Sequence, residues 1–95
     1  MLFGLNVTYE MKPGMRSDFL AAVQADGLLD AIRAEDGCLK YDYYLSVDHP
    51  DQLLLVEHWR DRASQQAHMT HPNMTKLAAI KARCAVSTAL VGFDM

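Results

Sequence analysis

The chain has little of what announces a specialised class. Cysteine occurs only twice, as Cys38 and Cys84, both in apolar surroundings and without a C-x-x-C pattern. A disulfide framework is therefore not expected, and the pair reads as reduced, packed thiols of a cytoplasmic protein. Like charges form no run and Lys and Arg do not cluster. Nucleic acid and anionic membranes are thus not expected partners. Apolar runs such as Leu53-Leu54-Leu55-Val56 fall far short of the ~20 residues a membrane-spanning helix needs. The start, Met1-Leu2-Phe3-Gly4-Leu5, lacks the basic segment and cleavage site of a signal peptide. No phosphate-cradling glycine loop, Ser-His-Asp order or nucleophilic cysteine setting is present.

What the sequence does have is apolar surface. Of 95 residues, 51% are hydrophobic, and the net charge is only −3. The length fits a single domain spanning residues 1–95, whose folding would bury roughly 60–70% of the unfolded chain's surface. That apolar content exceeds what so small an interior needs, which points to cover by a second chain, most simply in a two-fold homodimer.

Periodicity orders the elements. Leu5, Val7 and Tyr9 alternate with Asn6, Thr8 and Glu10 as a strand does, and Pro13-Gly14 supplies a turn. From Met15 to Glu35 the period becomes helical. Met15, Phe19, Leu20, Val23, Gly27, Ala31 and Ala34 fall on one stripe, with Ser17 as N-cap. Strands over 39–46 and 52–59 form a hairpin whose register pairs Tyr43 with Leu55, Tyr41 with Glu57 and Leu39 with Trp59, all on one face. Asp61 caps a short helix, Pro72 opens another, and Ala85–Phe93 is a final strand. The order β-α-β-β-α-β is the ferredoxin-like split βαβ arrangement, an α+β fold with a four-stranded antiparallel sheet. The third strand is apolar on both faces, so one must meet the helices and the other a second copy of the sheet.

One corner concentrates the chemistry. Glu57 stands in an apolar strand, where burial would raise its pKa and suit it as a general base; the bland alternative is an ion pair with Arg60, Arg62 or a helix residue. His68, on the next helix, points back toward the strand end and can orient a hydroxyl or move a proton. His71 precedes Pro72, where capping and substrate contact are both open. Trp59, Tyr41 and Tyr43 offer flat walls with donor tips, suited to a planar aromatic or quinone-like substrate, or else plain core packing. Gly27 interrupts the inward stripe of the long helix, leaving either a close helix approach or room for a ligand. A metal is not expected. His58 faces away from Glu57, His49 sits in a remote turn, and His68 with His71 lacks a third ligand.

The element order, with Tyr9, Pro13-Gly14, Glu35-x-Gly37-Cys38-Leu39-x-Tyr41, Glu57-x-Trp59 and His68-x-x-His71-Pro72, resembles the antibiotic biosynthesis monooxygenase domain family from Leu2 to Phe93. The resemblance implies a dimeric α/β barrel in which two sheets face each other, with a pocket in each subunit between sheet and helices. It also implies oxidation of a small quinol or polycyclic phenol by molecular oxygen, with no cofactor. Relatives instead degrade haem or isomerise a phosphorylated sugar derivative, and fold alone does not choose among them. The haem-degrading branch carries a Trp and a His where this chain has the neighbourhoods of His68 and Ala78, which weakens that reading. It also has a functional Asn on the first strand, which implies a role for Asn6 in steadying an oxyanion beside Glu57 and His68. Two alternatives to oxygenation remain: a proton-shuttling isomerase of a small hydroxyketone, and a non-catalytic dimer that binds a hydrophobic metabolite.

Overall fold

The computed structural model describes residues 1–95. Strand β1 (Phe3–Met11) leads into helix α1 (Arg16–Gln24), a 3-10 turn at Ala25–Gly27, and helix α2 (Leu28–Arg33). Strands β2 (Cys38–Leu45) and β3 (Gln52–Trp59), helices α3 (Arg62–Met69) and α4 (Pro72–Cys84) and strand β4 (Ala85–Asp94) complete the chain. The strands form one antiparallel sheet in the order β2-β3-β1-β4. This is the expected ferredoxin-like arrangement, with the last strand beside the first.

Alternation decides which side chains meet the helices. Phe3, Leu5, Val7 and Tyr9 of β1 and Leu53, Leu55 and Trp59 of β3 are buried in one cluster with Phe19 and Val23 of α1, Ile32 of α2 and Leu77 of α4. The hairpin pairs Tyr43 with Leu55 and Tyr41 with Glu57, as its sequence implies. The third expected pair fails. A bulge between Cys38 and Lys40 sets Cys38 opposite Trp59 and leaves Leu39 57% exposed.

The long helix expected over 15–35 is two helices. Asp26 (φ 56°) and Gly27 (φ 71°) adopt left-handed backbone, which Asp and Gly tolerate best. A continuous helix would turn the small Gly27, Ala31 and Ala34 inward. The break rotates the chain so that Leu28, Leu29 and Ile32 are buried instead. Larger apolar area wins. Gly27 is exposed, and a Cβ there would meet nothing within 4 Å, so it neither permits a close approach nor makes room for a ligand. Ser17 is not the cap: α1 begins at Arg16 after Met15, without a side-chain cap. Farther on, the Asp61 carboxylate accepts from the Ser64 N–H (2.8 Å) at the start of α3. No helix is long and apolar enough to cross a membrane.

Candidate functional site

Strand parity and one helix turn build the site. On β3, Leu55, Glu57 and Trp59 face the helices; α3 turns Ser64 and His68, four residues apart, back onto them. Glu57, Trp59 and His68 are 5%, 0% and 2% exposed. The chain buries only four polar side chains to this degree, Glu57, Ser64, His68 and Asn73, and all lie in this corner. Buried polar groups are costly, so their grouping marks it out.

The indole Nε1–H of Trp59 donates to Glu57 Oε1 at 2.9 Å. Burial pushes the Glu57 carboxyl above its usual range, and that hydrogen bond and the neighbouring His68 and Lys81 pull back only in part. Neither arginine pairs with it. Arg60 grips both oxygens of Asp36 (3.1 Å each), and Arg62 reaches Asp94 (3.1 Å). The ion pair with either arginine is thus excluded, and no helix residue comes within ion-pair distance of Glu57.

The His68 ring lies over Trp59, with centroids 4.9 Å apart and planes 30° apart, and Tyr41 meets it edge-on at 5.7 Å. His68 Nδ1 sits 2.8 Å from Glu35 Oε1, while Asn73 Nδ2 donates to Glu35 Oε2 at 3.1 Å. Sequence reasoning missed Glu35 and Asn73 as members of this corner. Two signals were available: Glu35 opens the Glu35-x-Gly37 turn, and Asn73 shares the inward stripe of α4 with Leu77. Gly37 has φ 83°, and a Cβ there would collide with the Ser64 side chain, so the turn carrying Glu35 packs directly against α3.

Aromatic rings extend the apolar wall. Tyr41 meets Tyr43 edge-on at 6.0 Å, Tyr43 meets Phe19 at 5.8 Å, and Tyr9 lies 5.4 Å from Phe19. Burial drives the phenols of Tyr9, Tyr41 and Tyr43 well above the ordinary range. The Tyr43 hydroxyl is buried without a hydrogen-bond partner.

Two of the residues expected here are placed otherwise. Asn6 pairs with Val56 across β1 and β3, and so faces away from the helices. It does not join Glu57 and His68, and an oxyanion role beside them is excluded by strand parity. His71 is exposed and its Nδ1 accepts from the Asn73 N–H (3.0 Å), which makes it the N-cap of α4. It also stands on the wall of an open cleft of about 270 Å³, which Glu35, Arg60, Ser64 and His68 help to line. Glu57, Trp59 and the tyrosines do not line that cleft. No group of three His, Cys, Asp or Glu side chains is placed to hold a metal ion.

Comparison with known proteins adds a family. The family model described as antibiotic biosynthesis monooxygenase matches residues 2–80. YcnE of Bacillus subtilis (strain 168), which its name assigns to the monooxygenases provisionally, is 31% identical over 64 residues, 67% of this chain and 65% of that protein. Rv0793 of Mycobacterium tuberculosis, named in the same way, is 38% identical over 60 residues, 61% of this chain and 58% of that protein. The chain thus spans less than two thirds of the length of these curated relatives. The solved structure of Rv0793 superposes with a TM-score of 0.85 at 26% identity, covering 100% of this chain and 95% of that one. A Nitrosomonas europaea structure reaches 0.90 at 18% identity, covering 99% and 89%, and speaks for the fold alone.

Proposed function

The chain belongs to the antibiotic biosynthesis monooxygenase family, and from that premise we propose that it oxygenates a small quinol or polycyclic phenol with molecular oxygen, drawing the electrons from the substrate itself. A site group takes the phenolic proton, and the electron-rich phenolate carbon reduces oxygen. One oxygen atom becomes the new carbonyl, and the other leaves as water with the phenolic proton and the one hydrogen lost from that carbon.

The observation that carries this reading is the pairing of a buried carboxyl and a buried imidazole on one aromatic surface, Glu57 and His68 against Trp59 and Tyr41. The titratable groups supply proton transfer, and the rings supply a flat apolar contact that keeps water from the reactive carbanion-like centre. Tyr43 contributes the one buried hydroxyl without a partner, which a substrate oxygen can satisfy.

The same reading includes a homodimer. On the face away from the helices, Tyr44, Leu54, Val56, Val91 and Phe93 share positions on neighbouring strands. Tyr44 is 44% and Val91 63% exposed, which favours cover by the same face of a second copy.

The test is oxygen uptake with a panel of hydroquinones and polycyclic phenols, followed by product analysis in labelled oxygen. Incorporation of one labelled atom is expected, with Glu57→Gln and His68→Ala each slowed by about 100-fold or more. No uptake with any member of the panel, or full turnover without oxygen, would refute the proposal.

A further inference from the structure

We infer that Glu35, itself held by Asn73, is the positioning residue that fixes His68 with a bare Nε2, and so makes His68 rather than Glu57 the group that accepts the substrate proton. The inference rests on the reading above, that this corner deprotonates a phenol.

The argument begins with what each atom can do. A carboxylate oxygen only accepts hydrogen bonds, so at 2.8 Å the Glu35 Oε1 contact requires the proton on His68 Nδ1. In the neutral ring the lone pair then lies on Nε2, the nitrogen on the far side of the ring. The carboxylate is fixed in turn, because Asn73 Nδ2 holds its second oxygen at 3.1 Å. The side chains of His68 and Glu35 are 1% and 5% exposed, so solvent competes for neither. Trp59 lies against one face of the ring and Tyr41 meets it edge-on, and together they resist the ring flip that would put Cδ2 in the place of Nδ1 and Cε1 in the place of Nε2.

Glu57 is placed differently. Its Oε1 already accepts the Trp59 indole N–H, no arginine or lysine pairs with it, and its neighbours Leu55 and Tyr41 are buried. Such surroundings favour the neutral acid over the anion, which agrees with the direction in which its titration is displaced. A carboxyl displaced in that direction holds its proton to higher pH than an ordinary one, and its Oε1 is already engaged by the indole. Environment thus assigns different duties to two carboxyls in one corner, one orienting the base and one holding its own proton more tightly.

The experiment uses the full chain labelled with nitrogen-15 in its imidazoles, read by NMR at a pH where the ring is neutral. Wild type should carry the His68 proton on Nδ1. In Glu35→Gln the amide can turn its N–H toward Nδ1 while its oxygen keeps the Asn73 contact, so the proton should move to Nε2. Phenol oxidation should then fall about 100-fold, with the Kd for the phenol held within about twofold, as expected for loss of a proton acceptor rather than of binding. Glu35→Asp keeps a charged acceptor; it should retain the Nδ1 proton and recover turnover to within about tenfold of wild type. Asn73→Ala, which leaves Glu35 in place, should keep the wild-type tautomer with a smaller loss, and serves if Glu35→Gln unfolds. An unchanged tautomer in Glu35→Gln, or unchanged turnover once the tautomer has moved, overturns the inference while oxygenation by wild type stands. If the tautomer moves as expected but wild type oxidises no phenol, the oxygenation reading falls and takes the base role with it.

Discussion

Tyr43→Phe is the most incisive single change, because it removes one oxygen atom that nothing in the chain satisfies. The ring is held by Phe19 at 5.8 Å, Tyr41 at 6.0 Å and Tyr9 at 6.3 Å, all contacts that phenylalanine keeps. The hydroxyls of Tyr9 and Tyr41 lie near enough to the Tyr43 oxygen to act on its titration as hydrogen-bonding neighbours, yet no contact of that oxygen meets the full distance and angle of a formed bond. Burying a hydroxyl without a partner costs about 1–3 kcal/mol, and deleting it leaves little cavity. The lower end applies here, since the residue is half-buried as a whole, so a gain of about 1 kcal/mol is expected. For a domain of this size that corresponds to a rise in Tm of about 4–8 °C, and to a higher urea midpoint at unchanged slope. Activity should move the other way, because the same hydroxyl is the free polar atom that a quinol oxygen would meet: KM should rise while kcat changes less. A stability gain with a loss of affinity is the signature of a group retained for binding. A variant less stable than wild type by about 1 kcal/mol or more would show that the hydroxyl has a partner and refute the reasoning.

Other perturbations test the surrounding electrostatics and the open sheet face. Burial raises the Glu57 carboxyl above its usual 4.5, so the folded chain binds this proton more tightly than the unfolded chain does. Stability from this group is therefore full below that value and declines as pH climbs through the higher folded value. Glu57→Gln should abolish the decline, and above that window should exceed wild type by about 1.4 kcal/mol for each tenfold weakening of the acid. Urea melts that stay parallel across pH would contradict this. Burial pushes the Cys38 thiol up to about 11, so iodoacetamide at pH ~8 should find on the order of a thousandth of it as thiolate, and rapid labelling would refute that environment. Val56→Lys places a charge on the face opposite the core; it should halve the mass seen by light scattering while leaving the fold intact, and an unchanged mass would remove the proposed sheet-to-sheet dimer.

Much of this architecture was legible because it depends on short-range parity. The alternation of Leu53, Leu55, Glu57 and Trp59 assigned those side chains to one face, and the turn after Ser46 set the hairpin register, with error only at the Cys38 bulge. The approach of His68 to Trp59 followed from a helix that starts just after the strand ends. Other features depend on which of two acceptable local patterns the tertiary structure rewards. Both the Gly27-Ala31-Ala34 stripe and the Leu28-Ile32 stripe have helical spacing, and only the area available against the sheet selects the second. Glu35 and Asn73 escaped for another reason: the contacts that give them meaning cross 33 and 38 residues of sequence. Asn6 is the instructive failure, since the alternation of Leu5, Asn6 and Val7 already set it apart from the core side chains, and the analogy with a related branch overrode that.

The two faces of β3 cannot be treated as independent. Its odd-numbered positions from Leu53 to Trp59 are buried against the helices, while Leu54, Val56 and His58 stay partly open on the reverse. A register slip of one residue would carry Glu57 out of the corner and put Val56 into it. Within one chain, β3 is held by hydrogen bonds to both β1 and β2, which fixes its register along the whole run from Leu53 to Trp59. A partner sheet on the reverse face would add a second constraint of the same kind, acting on the even-numbered side chains. Self-association and chemistry would therefore share one backbone. On this view the apolar run that makes β3 unsuited to a solitary sheet is what holds its carboxyl and indole within reach of the imidazole, and loss of pairing should degrade turnover before it unfolds the chain.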